Sequence, residues 1–129
     1  MTEPEIYMSL AIRFLSGSTA AHSAAHELAG FACYHAFESA GGAYVTHYGQ
    51  PYPHNHKAKL NAFEARCSGR LRHAVANLAI TLTGLRNAFL YPSIMGTTCV
   101  HPMNTVTAAQ VNHLHRRVSG IVGIIRPMI

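Results

Sequence analysis

Apolar residues recur along this chain with the period of a helix, most clearly after Ser68. Leu71, Ala74, Val75, Leu78, Leu82, Leu85 and Phe89 fall at i, i+3, i+4, i+7, i+11, i+14 and i+18, one sustained stripe that Pro92 stops. A second stripe, Val111, Leu114, Val118, Ile121, Val122 and Ile125, follows Thr107-Ala108-Ala109-Gln110, whose spacing is that of a capping box. His113, Arg116 and Arg117 lie off that stripe. The segment from Thr19 to about Val45 carries two adjacent stripes. One runs Ala21, Ala24, Leu28, Phe31, Ala32, His35 and Ser39, and the other Gly30, Cys33, Phe37, Ala40 and Tyr44. A helix apolar around most of its girth is expected at the centre of a fold. Its narrow polar edge is Glu27, Tyr34 and Glu38.

The remaining elements follow from punctuation. Thr2-Glu3-Pro4-Glu5 has capping-box spacing and predicts a short helix to about Leu15, ended by Gly17 and Ser18. Gly41-Gly42 is a place for the central helix to end or bend. Residues 46–56 hold Gly49, Pro51 and Pro53 and predict a loop, followed by a helix from Lys57 to Arg66. Residues 92–106 predict a second loop. No strand alternation and no repeat is visible. The expectation is one all-α domain spanning 1–129, a bundle of four to five helices.

Composition adds a bias. Lys and Arg number 10 against 5 acids, a net charge of +5, and after Glu64 there is no acid at all. A basic half suits a polyanion, and Arg72, Arg86, Arg116 and Arg117 are the candidate contacts to nucleic acid. Charged residues make up 12% of the chain, about half the usual share, so a homodimer or a larger protein assembly is expected to cover part of the surface. The three cysteines are widely spaced and lack a CxxC pair, which suits reduced thiols and a cytoplasmic setting. The opening residues are acidic and no apolar run is long enough for a bilayer, so neither a signal peptide nor a membrane partner is expected.

Ten histidines raise the question of metal. His22 and His26 are one turn apart, His54 and His56 form a close pair, and so do His113 and His115. None has the third and fourth ligands that a zinc site needs, so no metal and no cofactor is expected.

The segment Leu85-Arg86-Asn87-Ala88-Phe89-Leu90-Tyr91-Pro92 closes the long helix. Arg86 beside an amide, with Tyr91 at i+4 from Asn87, suits a phosphate or ribose; as plain structure it is a helix end with a cation on the macrodipole. This segment resembles the signature of the HEPN family of prokaryotic toxin, defence and RNA-processing domains, in which an Arg and a polar residue precede a His. Residues 25–38 resemble the family's earlier helix, and His54 and His56 its loop histidine; the likeness spans roughly residues 19–92. It implies a dimeric helical bundle in which Arg and His of two protomers cleave RNA without metal. Tyr91 stands where the His would be, and a phenol is a poor general base at neutral pH. The resemblance therefore implies an RNA- or nucleotide-engaging protein of a toxin–antitoxin or defence system, with Arg86, Asn87 and Tyr91 at its site and ribonuclease activity reduced or absent. Two alternatives stay open: a helical subunit that docks a larger protein, and an active metal-independent endoribonuclease.

Overall fold

Thr2 accepts a hydrogen bond from the Glu5 backbone while the Glu5 carboxylate takes one from Thr2, and this capping box starts the first helix, α1, Glu3–Ala21. The computed structural model describes residues 1–129. The chain continues with α2 (His26–His47), α3 (His56–Arg66), α4 (Gly69–Leu90), a two-stranded antiparallel hairpin of β1 (Ser93–Met95) and β2 (Thr98–Val100), a single turn α5 (Pro102–Thr105) and α6 (Ala108–Ile125). A short 3₁₀ turn over Arg126–Met128 closes it. The all-α expectation holds, with five long helices and one isolated hairpin.

The centre is α2, but only one of its two stripes is in the core. Gly30, Cys33, Phe37, Ala40 and Tyr44 are buried, Phe31, Ala32, His35 and Ser39 are half-buried and Leu28 is exposed. Tyr34 and Glu38 of the expected polar edge are buried instead, because α3 and α4 cover that side. The helix packs most extensively on α1 and then on α6, α3 and α4. Ala29, Cys33, Ala36, Phe37, Ala40 and Ala43 are fully buried, and one continuous core joins all five long helices. The stripe of α6 is buried at every position named from the sequence. In α4, Val75, Leu78, Leu82 and Phe89 are buried, and Leu71, Ala74 and Leu85 partly so.

Glycines bring the helices together. A Cβ built on Gly30 would stand 2.5 Å from the Phe89 ring, and one on Gly42 would stand 2.6 Å from the Tyr7 ring. Phe89 is itself buried and has nowhere to retreat. Gly30→Ala is therefore expected to destabilise the fold by about 1–3 kcal/mol through overpacking, against the gain that Ala gives an exposed helix. Denaturant midpoints check it; an unchanged midpoint would mean that α2 and α4 do not meet here.

Three features differ from the sequence expectation. Gly17 and Ser18 do not end α1, which runs on to Ala21. Gly17 faces open space, and the Ser18 hydroxyl is satisfied across the core by Cys33 and His115, both at 3.1 Å. The break falls instead at residues 22–25. There His22 donates to the Ala108 carbonyl and His26 to those of Met103 and Val106, tying the α1–α2 corner to the start of α6. Gly41 and Gly42 lie inside α2 rather than at its end, because they are the points of closest approach to Phe63 and Tyr7. The loop expected over 92–106 contains the hairpin and α5, with Gly96 at φ +62° in its turn.

Candidate functional site

The two-residue connection Cys67–Ser68 makes α3 and α4 antiparallel neighbours, so the start of α3 meets the end of α4. Asn55 opens α3 by accepting the Ala58 N–H, which fixes His56 in the first turn. Opposite stands Arg86. It lies just before the last turn of α4, and its side chain turns across onto α2 and α3 instead of capping its own helix.

Three side chains form a chain from the core outward. Glu38 of α2 is buried, with only 5% of its surface exposed. Its Oε2 accepts from His56 Nδ1 at 2.7 Å, and its Oε1 accepts from Lys59 Nζ at 3.0 Å. Arg86 Nη2 donates to His56 Nε2 at 3.0 Å. This pattern fits an imidazole with its proton on Nδ1 and its Nε2 lone pair facing the guanidinium. Burial acts to raise the Glu38 carboxyl, but the hydrogen bonds from His56 and Lys59 outweigh it and hold the group below its ordinary 4.5. Tyr52 braces the same place by donating to the Glu38 backbone carbonyl at 2.6 Å.

Tyr34, one turn before Glu38, forms the floor. Its ring lies 5.5 Å from the Arg86 guanidinium carbon and 5.9 Å from the His56 ring. Burial, seconded by the Glu38 charge, pushes its phenol well above the tyrosine range, so it stays neutral and offers a proton donor rather than an anion. Arg86 Nε is buried without a hydrogen-bond partner, although its neighbour nitrogen is engaged.

Of these groups Tyr34, His56 and Arg86 line one end of a cleft of about 590 Å³ between α3 and α4, and Glu38, Lys59 and Tyr52 stand behind it. Asn87 lines it as well, as expected. Tyr91 does not: it is the C-cap of α4, in extended conformation and 60% exposed, and only its backbone N–H reaches back, to the Asn87 carbonyl. The i, i+4 relation to Asn87 fails because the helix ends at Leu90. Of the other arginines, Arg72 and Arg116 are exposed elsewhere, and Arg117 lines a groove between α4 and α6. None of the three joins Arg86. Among the histidine pairs, His22 and His26 are used on backbone carbonyls, and nowhere do three His, Cys, Asp or Glu side chains converge as metal ligands would.

Glu38, Lys59 and Tyr34 were not candidates in the sequence. The available signal was an acid and a phenol spaced i, i+4 on a helix otherwise apolar all round. Such a pair is either a solvated edge or a buried site, and only the placement of α3 decides which. No helix is long and apolar enough to cross a membrane. Comparison of the chain with protein-family models, with curated proteins and with solved structures gives no match.

Proposed function

We propose that the α3–α4 cleft engages the phosphate of RNA or of a nucleotide through Arg86, in a HEPN-like helical protein of toxin–antitoxin or defence type. One observation supports this above the others: the only guanidinium in the cleft is half-buried and lacks an acidic partner. A cation held this way is complementary to an anion that arrives from outside.

The geometry also favours cleavage over binding alone, through His56. Tyr91 is remote, but His56 presents an imidazole nitrogen at the Arg86 guanidinium, with Glu38 behind it to orient the ring. When Arg86 moves onto a phosphate, His56 Nε2 is released. It can then take the proton of a ribose 2′-hydroxyl, whose oxygen attacks the adjacent phosphorus. The bond to the 5′ oxygen breaks, and that oxygen recovers the proton from the imidazolium. The products are a 2′,3′-cyclic phosphate and a 5′-hydroxyl. Arg86 carries the charge that develops on the phosphorane.

The test is RNA incubated with the protein in the presence of a chelator, with end groups analysed. Cyclic phosphate ends formed by the wild type and by Tyr91→Phe, and lost in His56→Ala, are the expected result. No cleavage, with salt-dependent RNA binding retained, would leave a binding protein. Neither binding nor cleavage would end the reading. A homodimer belongs to the same proposal. It is supported by Ile94 and Met95 of the hairpin, 76% and 70% exposed, which have no cover within one chain. Light scattering should give about twice the 14.0 kDa chain mass, and a monomer at micromolar concentration would exclude it.

A further inference from the structure

The cleft has a polarity. Along α3 it runs from His56 and Lys57 to Glu64, and along α4 from Arg86 and Asn87 to Ala76. At 1.5 Å per residue these walls extend roughly 10 Å from Lys57 to Glu64 and about 15 Å from Arg86 to Ala76. One end is cationic. The other holds a single carboxylate, Glu64, which makes no ion pair, since the chain's pairs all belong to Glu38. Between them lie Leu60 and Asn61 of α3 and Ala79, Ile80 and Thr83 of α4, a wall of mixed apolar and neutral polar side chains. Ile80 is 75% exposed there, an apolar side chain with nothing over it.

We infer that this cleft is a site for one nucleotide unit, with the phosphate at Arg86 and the base laid over Ile80 toward Glu64, and that Glu64 selects bases that present an exocyclic amine. This rests on the reading of Arg86 as a phosphate ligand and adds orientation and selectivity to it. The span from basic to acidic end is that of one phosphate, sugar and base. A carboxylate repels the phosphate from its own end, which fixes the direction. It also accepts only. It therefore takes the N4 amine of cytosine or the N6 amine of adenine, whereas uracil and hypoxanthine offer it only a ring N–H flanked by a carbonyl oxygen that repels it. Asn61, beside Glu64, can serve either edge and adds no preference.

The experiment is calorimetric titration of the full chain with two matched pairs of nucleoside 5′-monophosphates, AMP against IMP and CMP against UMP, with inorganic phosphate and a short RNA as references. Within each pair the amine becomes a carbonyl and the adjacent ring nitrogen becomes an N–H. The amine-bearing member should bind about tenfold more tightly in the wild type. Glu64→Gln, on the surface of α3, should fold normally and bring the pairs to within about twofold, because an amide presents both a donor and an acceptor. Arg86→Ala should weaken all four. Equal affinities within each pair in the wild type, or a preference that survives Glu64→Gln, would overturn the role of Glu64. Inorganic phosphate binding as tightly as AMP would overturn the base subsite. RNA bound while no mononucleotide binds would overturn the one-nucleotide site and leave the phosphate reading standing. Failure of RNA and mononucleotides alike would remove both.

Discussion

Arg86→Ala will weaken RNA binding by roughly 5- to 100-fold while shifting stability by only about 1 kcal/mol. The two effects separate because the contacts that Arg86 makes within the chain are modest. It donates one hydrogen bond to a neutral imidazole and sits at cation–π distance from Tyr34. Removing it sacrifices these two contacts. A phosphate in a half-buried cleft, by contrast, receives charge-assisted hydrogen bonds from a planar donor, worth about 1–3 kcal/mol. The salt dependence should also change, with the slope of log affinity against log salt falling by about one. Arg72→Ala and Arg116→Ala, which alter exposed side chains away from the cleft, should reduce affinity much less. Filter binding at three salt concentrations, with a denaturant melt of each variant, checks this. If Arg86→Ala unfolds the chain, or if all three variants lose affinity equally, Arg86 has no special place and net charge alone explains any RNA binding.

Much of the architecture is legible in the residues, because a buried helical face leaves a period that few other structures share. The stripes of α4 and α6 and both capping boxes predict elements to within a residue or two. The α1–α2 boundary is not legible. Gly17 and Ser18 are weak breakers, worth about 1 kcal/mol at most, and tertiary partners of Ser18 override them. The real corner is held by His22 and His26 bonding to carbonyls some 80 residues away in sequence, which no local pattern reveals. The hairpin is missed for a similar reason. Its strands are three residues long and carry no alternation that a window could detect. At the site, Arg86, Asn87 and His56 stand out as polar residues in suggestive segments. Their mutual geometry does not, and neither does the displacement of Tyr91, which follows from where α4 stops. Glu38 is the most instructive case. An acid on the edge of a central helix looks solvated until α3 places a lysine and a histidine over it.

Glu38→Ala is expected to cost about 2–4 kcal/mol, the largest loss for any single polar side chain here. Truncating one partner of a buried ion pair leaves the other charge without its counterion, and such losses reach roughly 3–5 kcal/mol when both groups are sealed in. Here the loss is smaller because Lys59 and His56 are partly exposed and can turn to water. Glu38→Gln keeps the shape and one acceptor, so it should cost less and should isolate the charge. The pH dependence then has a definite sign. The Glu38 carboxyl titrates lower in the folded chain than its ordinary 4.5, so its charge contributes stability that is fully present above about pH 4.5. That contribution is lost as pH falls through the lower, folded value. The stability gap between wild type and Glu38→Gln should therefore be widest at neutral pH and should narrow steadily below pH 4.5. In the proposed cleavage, Glu38→Gln should lower the rate by roughly 100-fold, because the amide no longer holds the His56 ring with its proton on Nδ1. Binding of RNA, which depends on Arg86, should change little. A gap that stays constant from pH 7 to pH 3, with cleavage unaffected, would mean that Glu38 is a bystander in a core that tolerates it. His56 would then have no orienting partner, and the catalytic reading of the cleft would fall with it.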